Sequence, residues 1–510
     1  MQPVPTFATA AQRAAIRFDL HAFHADAITT RLGEMAARAL QRDDPLPGRY
    51  HLAGCTDQLG LQIRLFCLAE SLTTAEINRA LPELTSQGAA ACQLITPAGN
   101  ATWRATAMIT AFRGLHIASD WLPTFVDPQG ELAGEHVLGI GGASRTLLDL
   151  LPPMDEATVL DLGTGSGIQA LACAAQARTV IATDISERAL GFAELNIALN
   201  EPAAPIELRR GSLFAPLGST RVDVVVSNPP FVITPPGAYA AGLPHYEYRD
   251  AGAMQPGDSV IRHLLGSLAQ VLNVGGIAVL LANWECGEQI AEVSAELHYD
   301  LDVWVIERER RDIAAYSDMW LRDGGLTPQS ALWEPAYGAY LEDFATRGVS
   351  EVAFGFILVA NRGSAPGPPM RETTIAHGPP LRGDELWPLF RTRQWLTRAS
   401  DDDIARARLV AGADVTMEHH FRIGESDPAA ITITIGGGLH QQRQVATEVA
   451  GLLSACDGLL RVDQIAAALA DLLEVDATAM LDACIAHARM LLANGYVHRD
   501  EQHSGAKSPS

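Results

Sequence analysis

The chain has 510 residues, 48% of them hydrophobic and only 19% charged, which provides material for several packed cores and predicts two to four domains. A net charge of −23, with Lys507 the single lysine, weighs against the broad basic footprint of phosphate recognition without excluding a local one. No apolar run approaches the roughly 18 to 20 residues of a membrane helix, no basic region followed by an apolar stretch opens the chain, and the seven cysteines form no C-x-x-C pair. These features predict a cytoplasmic protein with reduced thiols, no membrane partner and no metal.

The apolar spacing of residues 8–40 reads as amphipathic helix, ending before the turn at 43–47. A second helix is expected over 61–70. Thr73 with Glu76 forms a capping-box signature that starts a third, through Leu81. A short helix near 83–92 leads to strands around 101–112. This order suits a winged-helix module or a small α+β accessory domain, and residues 1–130 are expected to form it.

Residues 135–362 alternate short apolar runs with helical patterns. Strands are predicted at 159–162, 179–183, 206–209, 222–227, 277–282, 301–306 and 352–360, with helices at 168–176, 187–199 and 259–272. The fold class is therefore α/β, a seven-stranded doubly wound sheet. Residues 313–349 interrupt the last pair; with Tyr316, Trp320, Trp333, Tyr337 and Tyr340 they are a candidate lid. Residues 365–369 read as a linker. A C-terminal α+β domain over 370–500 follows, with a strand at 430–435 and helices at 447–455, 462–473 and 478–493, closed by Gly495. It is again winged-helix-like. Residues 501–510 read as a disordered tail.

The strongest local signal is Val159-Leu-Asp161-Leu-Gly163-Thr-Gly165-Ser-Gly167, a buried strand running through a glycine turn into a helix. Glycines there allow close backbone approach and positive φ. The spacing is G-x-G-x-G, not the G-x-G-x-x-G of dinucleotide sites. Placed after an acidic strand residue, it resembles the cofactor loop of class I methyltransferases, which implies S-adenosylmethionine. Asp184 ends the second strand, where an acid can accept both ribose hydroxyls or cap the next helix. Asp161 is expected to support the loop or reach the cofactor's amino group. Gly211-Ser212-Leu213-Phe214 departs from the family's acid at the adenine, leaving Ser212 as the candidate contact.

Asn228-Pro229-Pro230-Phe231 follows the fourth strand, where a doubly wound sheet opens its ligand crevice. A planar amide or amino nitrogen is a poor nucleophile because its lone pair is delocalised. The Asn228 side-chain oxygen and the Pro229 carbonyl, held by the prolines, can accept its two hydrogens and localise that pair toward a methyl donor. Phe231 can stack on the planar group. Residues 158–231 thus resemble the N-methyltransferases that act on adenine N6, guanine N2 or glutamine N5. The continuation Asn228-Pro-Pro-Phe-Val-Ile-Thr-Pro-Pro236 is similar to the eukaryotic and archaeal HemK-like subgroup, which methylates the Gly-Gly-Gln glutamine of release factors.

The resemblance implies a release-factor-like protein substrate. An exocyclic amino group of an RNA or DNA base is the alternative, with the flanking modules as delivery arms. A non-catalytic nucleic-acid-binding regulator is the reading from another class. Among weaker candidates, Arg145, after Gly139-Ile-Gly141-Gly142, is either a partner for the cofactor carboxylate or a surface arginine. Tyr246, Tyr248, Arg249 and Asp250 are candidates for a substrate channel. His136, His245 and His263 read better as packing or solvated residues than as bases, and His419 and His420 lack metal-ligand spacing.

Overall fold

A computed structural model describes residues 3–122, 125, 135–243, 257–286 and 299–500. His245, Tyr246, Tyr248, Arg249, Asp250 and the expected tail lie outside the described residues. The main sheet has strands β1 (Thr158–Leu162), β2 (Thr179–Asp184), β3 (Ile206–Arg210), β4 (Val222–Ser227), β5 (Leu272–Cys286), β6 (Leu301–Asp312), β7 (Glu351–Asn361) and β8 (Arg371–Ile375). Their order is β8-β6-β7-β5-β4-β1-β2-β3. The fold class is α/β, as expected, but the sheet gains an eighth strand. β8, on the far side of the expected linker, pairs in parallel with β6, Val303 opposite Arg371. Its half-exposed, polar sequence RETTI carries none of the apolar run that marks a central strand.

By contacts the chain divides into two compact units, 1–148 with 154–290 and 310–354, and 149–153 with 291–309 and 355–510. In the first, β1 to β5 carry the site. Val159, Leu160, Val180, Val224 and Val225 are buried, as strands covered on both faces require. Register sets Leu162 opposite both Thr183 and Ser227, and Ser227 opposite Leu280. The C-terminal ends of β1, β2 and β4 are therefore level, and the three motif loops leave the sheet along one rim.

The N-terminal part of this unit holds helices Gln58–Phe66, Thr74–Ala80 and Thr85–Ala91 beside a three-stranded sheet ordered Leu72–Thr73, Thr102–Ala105, Ile95–Pro97. The Thr73–Glu76 capping box is present in both directions. The helix expected over 8–40 is broken into Ala10–Asp19 and Ala25–Leu40. His24 Nδ1 caps the second by accepting from the Ala27 amide at 3.2 Å, and Gly33, at φ 71°, kinks it. The module's apolar core runs on into Phe192, Leu195 and Leu199 of helix Glu187–Asn200.

Residues 313–349 fold into helices Ile313–Asp323 and Trp333–Thr346. They share a core with Ile233, Ala238 and Leu243 from the segment after β4, and Tyr316 is fully buried in it.

In the second unit, helices Thr447–Ser454, Val462–Leu473 and Ala477–Ala493 pack around Leu452, Val462, Leu491, Leu492 and Tyr496. Their sheet orders Asp457–Arg461, Arg408–Ala411 and Val497–Arg499. The central strand comes from well upstream rather than from a local hairpin. Gly495, at φ 84°, ends the last helix. Among the described residues no helix is long and apolar enough to cross a membrane.

Candidate functional site

The turn after β1 is held by the strand beside it. The amides of Gly163 and Thr164 both donate to the Thr183 carbonyl at 2.9 Å, and Gly167 donates to the Thr164 carbonyl at 2.8 Å. Gly163, Gly165 and Gly167 all have positive φ, at 73°, 55° and 84°. They are glycine for two different reasons. A Cβ on Gly165 would meet nothing within 4 Å and one on Gly163 nothing closer than the Asn228 carbonyl at 3.9 Å, so both turn toward open space that a ligand can use. A Cβ on Gly167 would press on Ala193 of helix Glu187–Asn200 at 3.2 Å. Gly167 therefore serves helix packing.

Asp161 is buried at the end of β1. Its Oδ2 accepts from the Thr164 hydroxyl at 2.5 Å and from the Ala170 amide at 2.9 Å, bracing the turn and the first turn of the following helix. Of the two roles expected of Asp161, these bonds make loop support visible. Burial pushes its carboxyl up to about 7, against the lowering effect of those two bonds. Asp184 accepts from the Gly165 amide at 3.0 Å and the Ser186 amide at 2.8 Å. The helix cap is Ser186 itself, whose hydroxyl accepts from Ala189. Both bonds go to backbone amides, so the Asp184 carboxylate is fixed at the rim beside the glycine turn. The Gly211 amide donates to the Asp184 carbonyl at 2.9 Å, which brings Ser212 beside Asp184 at the ends of β3 and β2.

Asn228 to Phe231 leave β4 directly against this turn. The Ser227 hydroxyl donates to the Leu162 carbonyl at 2.9 Å, locking the ends of β4 and β1 together. The Phe231 amide donates to the Pro229 carbonyl at 2.7 Å, closing a tight turn and leaving that carbonyl one lone pair for a ligand. Asn228, Pro230 and Phe231 are part-exposed while Pro229 is buried.

Behind the motif stands an aromatic scaffold whose individual roles the sequence does not show. The Tyr316 hydroxyl accepts from the Ile233 amide at 2.8 Å, and the Tyr340 hydroxyl donates to Thr234 at 3.1 Å. Trp320 meets Phe231 edge-on, ring centroids 6.4 Å apart. Only an aromatic-rich composition announces this region; which ring carries which bond needs the fold.

Other candidates fall elsewhere. Arg145 is exposed on helix Gly142–Asp149 with its guanidinium 5.3 Å from the Phe112 ring centre, a stacked surface position. His136 is part-buried, and burial holds its pKa below the usual histidine value. His263 is exposed on helix Ser259–Val271. His419 and His420 are exposed on strand Val415–Phe421.

Residues 138–239 match the family model described as "Methyltransferase small domain", and residues 21–106 match "Domain of unknown function (DUF7059)". The release factor glutamine methyltransferase of Moorella thermoacetica is 36% identical over 157 residues, 29% of this chain and 54% of that protein. The ribosomal protein uL3 glutamine methyltransferase of Bradyrhizobium diazoefficiens is 40% identical over 121 residues, 22% of this chain and 37% of that protein. A solved ribosomal protein L11 methylase from Lactobacillus delbrueckii subsp. bulgaricus is 29% identical, over 27% of this chain and 57% of that one, with a TM-score of 0.19. The chain thus spans about half or less of the length of the curated relatives it matches.

Proposed function

We infer that this chain, whose residues 138–239 are a class I methyltransferase domain using S-adenosylmethionine, transfers a methyl group to the side-chain amide nitrogen of a protein glutamine. The observation that carries the reading is the abutment of Asn228–Phe231 on the glycine turn: Ser227 is bonded to Leu162, and the Asn228 carbonyl is the nearest atom to a Cβ on Gly163. A nitrogen seated at Asn228 would then lie beside a ligand held by Gly163 and Gly165. The residues fit the cofactor. Two glycines face open space, and Asp184 and Ser212 stand together at the adjoining strand ends, where the ribose and the base would lie.

Bound there, S-adenosylmethionine supplies a methyl group on a positively charged sulfur. The chain supplies position and electrostatics. The Asn228 oxygen and the remaining lone pair of the Pro229 carbonyl accept the two amide hydrogens, and Phe231 packs on the amide plane. With the cofactor held at Gly163, Gly165 and Asp184, the nitrogen lone pair so directed would take up the methyl group, and the carbon–sulfur electrons would stay on sulfur. The nitrogen then loses one proton to solvent. Trp320 supports Phe231, and Tyr316 fixes the backbone just beyond it, so the acceptors need little reorganisation.

The two glutamine methyltransferases among the curated relatives support a protein glutamine over a nucleobase, and so does the net charge of −23. The test is transfer of labelled methyl from S-adenosylmethionine into fractionated cell extract, followed by mapping of the labelled peptide. N5-methylglutamine in a release factor or ribosomal protein is the expected product. Label confined to RNA or DNA would replace this reading with the base-methylating one.

A further inference from the structure

One stripe of helix Glu187–Asn200 reads a single strand of the N-terminal module, Leu115–Ser119, and the residue just after it. Arg188 makes a two-pronged pair with Asp120, Phe192 is fully buried, and Asn196 and Asn200 complete the i, i+4 series. Four helical residues advance about 6 Å and two strand residues about 6.8 Å, so the successive turns at Asn196 and Asn200 meet the alternate residues Ala118 and His116, while Arg188, two turns before Asn196, reaches Asp120 through its longer side chain. The strand's other edge is taken by Met108–Phe112. The two asparagines therefore stand where a third strand would pair.

Each amide bonds one residue in both directions. Asn196 Oδ1 accepts from the Ala118 amide at 2.7 Å and its Nδ2 donates to the Ala118 carbonyl at 2.9 Å. Asn200 does the same at His116, at 2.8 and 2.7 Å. They differ in their second N–H. Asn200 returns it to its own helix, to the Asn196 carbonyl at 2.7 Å. Asn196 sends it to the Ser166 carbonyl at 2.7 Å, inside Gly165-Ser166-Gly167.

We propose that Asn196 is a positioning residue for the cofactor: its buried amide holds the Ser166 peptide of the glycine turn in the binding conformation and ties that turn to the N-terminal module. The proposal rests on the assignment of this turn to S-adenosylmethionine. Ser166 is buried between two glycines at positive φ, the least restrained neighbours a peptide can have. Without its donor the carbonyl is left buried and unmet, and the peptide gains by rotating toward water. Asn196 is itself fully buried with both hydrogens and its oxygen engaged, so no alternative geometry is open to it.

Asn200 provides a matched control. Asn196→Ala and Asn200→Ala each delete the pair of bonds to the strand, but only the first releases Ser166. In the full-length protein, titration with S-adenosylmethionine should show at least a tenfold rise in Kd for Asn196→Ala and less than a twofold change for Asn200→Ala. Hydrogen exchange of the peptide covering residues 163–168 should accelerate only in the first. Asn196→Asp, which keeps shape and acceptor but loses the donor, is the second variant should Asn196→Ala not fold, and should match it in both readouts. Equal Kd in all variants, or equal weakening by both alanine substitutions, overturns the proposal. Wild-type protein that binds no S-adenosylmethionine would instead overturn the cofactor assignment.

Discussion

Gly165 and Gly167 offer a contrast that sequence spacing alone would not set up. Both have positive φ, 55° and 84°, so alanine at either pays a backbone penalty of about 1–2 kcal/mol. At Gly165 that is the whole cost, since the new methyl meets nothing within 4 Å. At Gly167 the methyl sits 3.2 Å from Ala193 Cα and Cβ, the first of which is backbone and cannot swing aside. Overpacking of this kind adds about 1–3 kcal/mol, for a total of about 2–5 kcal/mol at Gly167. Cofactor affinity should run the other way for its size: Gly165→Ala fills the space next to the turn and should weaken S-adenosylmethionine at least tenfold at little loss of stability. Urea unfolding of the cofactor-free protein and calorimetric titration of the folded variants separate the two effects. Wild-type affinity in Gly165→Ala would show that the turn is not the cofactor's cradle. Equal destabilisation by both substitutions would refute the packing argument at Ala193.

Asn228→Ala should lower kcat at least a hundredfold while leaving the Kd for S-adenosylmethionine within twofold, measured by methyl transfer and by titration; retained turnover would remove Asn228 from the mechanism. Tyr316→Phe strips the acceptor from the buried Ile233 amide and should cost about 1–3 kcal/mol in urea unfolding, with a fall in kcat because the turn beyond Phe231 loosens; an unchanged midpoint would mean that this bond contributes nothing. Asp161 has a folded value of about 7 against an ordinary 3.8, raised by burial, so the folded state binds more protons between those values and stability should fall as pH rises through that window. Asn at 161 should flatten that slope, and a slope identical to wild type would assign the dependence to other groups. Neither duplex DNA nor RNA should be retained in a filter assay at low salt; micromolar retention with a steep salt dependence would bring back the nucleobase reading.

The candidate site is legible in the sequence where its elements are local. A glycine turn after an acidic strand end, an acid at the next strand end and Asn-Pro-Pro-Phe after the fourth strand each sit within a few residues, and the level ends of β1, β2 and β4 bring them to one rim. What escaped is long-range. Asn196 and Asn200 look like ordinary helix residues until the helix meets a strand some 80 positions upstream, the two being 78 and 84 residues from their partners. β8 falls on the far side of the linker expected at 365–369, RETTI has no apolar run to mark it as a strand of the sheet, and its place depends on pairing with β6. The break between Asp19 and Ala25 hides for the same reason. Asp19 is fully buried, with its carboxylate taken by the Glu83 and Leu84 amides, a tertiary demand that helical periodicity does not carry.

The sequence leads one to expect that both flanking modules are winged-helix-like. Such modules bind nucleic acid by setting a helix in a groove with cations on the flanking phosphates. In the N-terminal module the third helix, Thr85–Ala91, reads TSQGAAA and has no charge at all. In the C-terminal one, the Arg489 side chain on helix Ala477–Ala493 is already bonded to the Leu396 and Ala399 carbonyls and to Asp401. Arg461, on the adjoining strand, is paired with Asp463 at 2.9 Å. The same C-terminal module exposes Leu459, Leu460, Leu472 and Leu473, apolar surface of a kind that protein contacts cover. An uncharged helix, an Arg489 committed to its own module and an outward leucine surface fit the proposal of a protein substrate better than the nucleic-acid alternative.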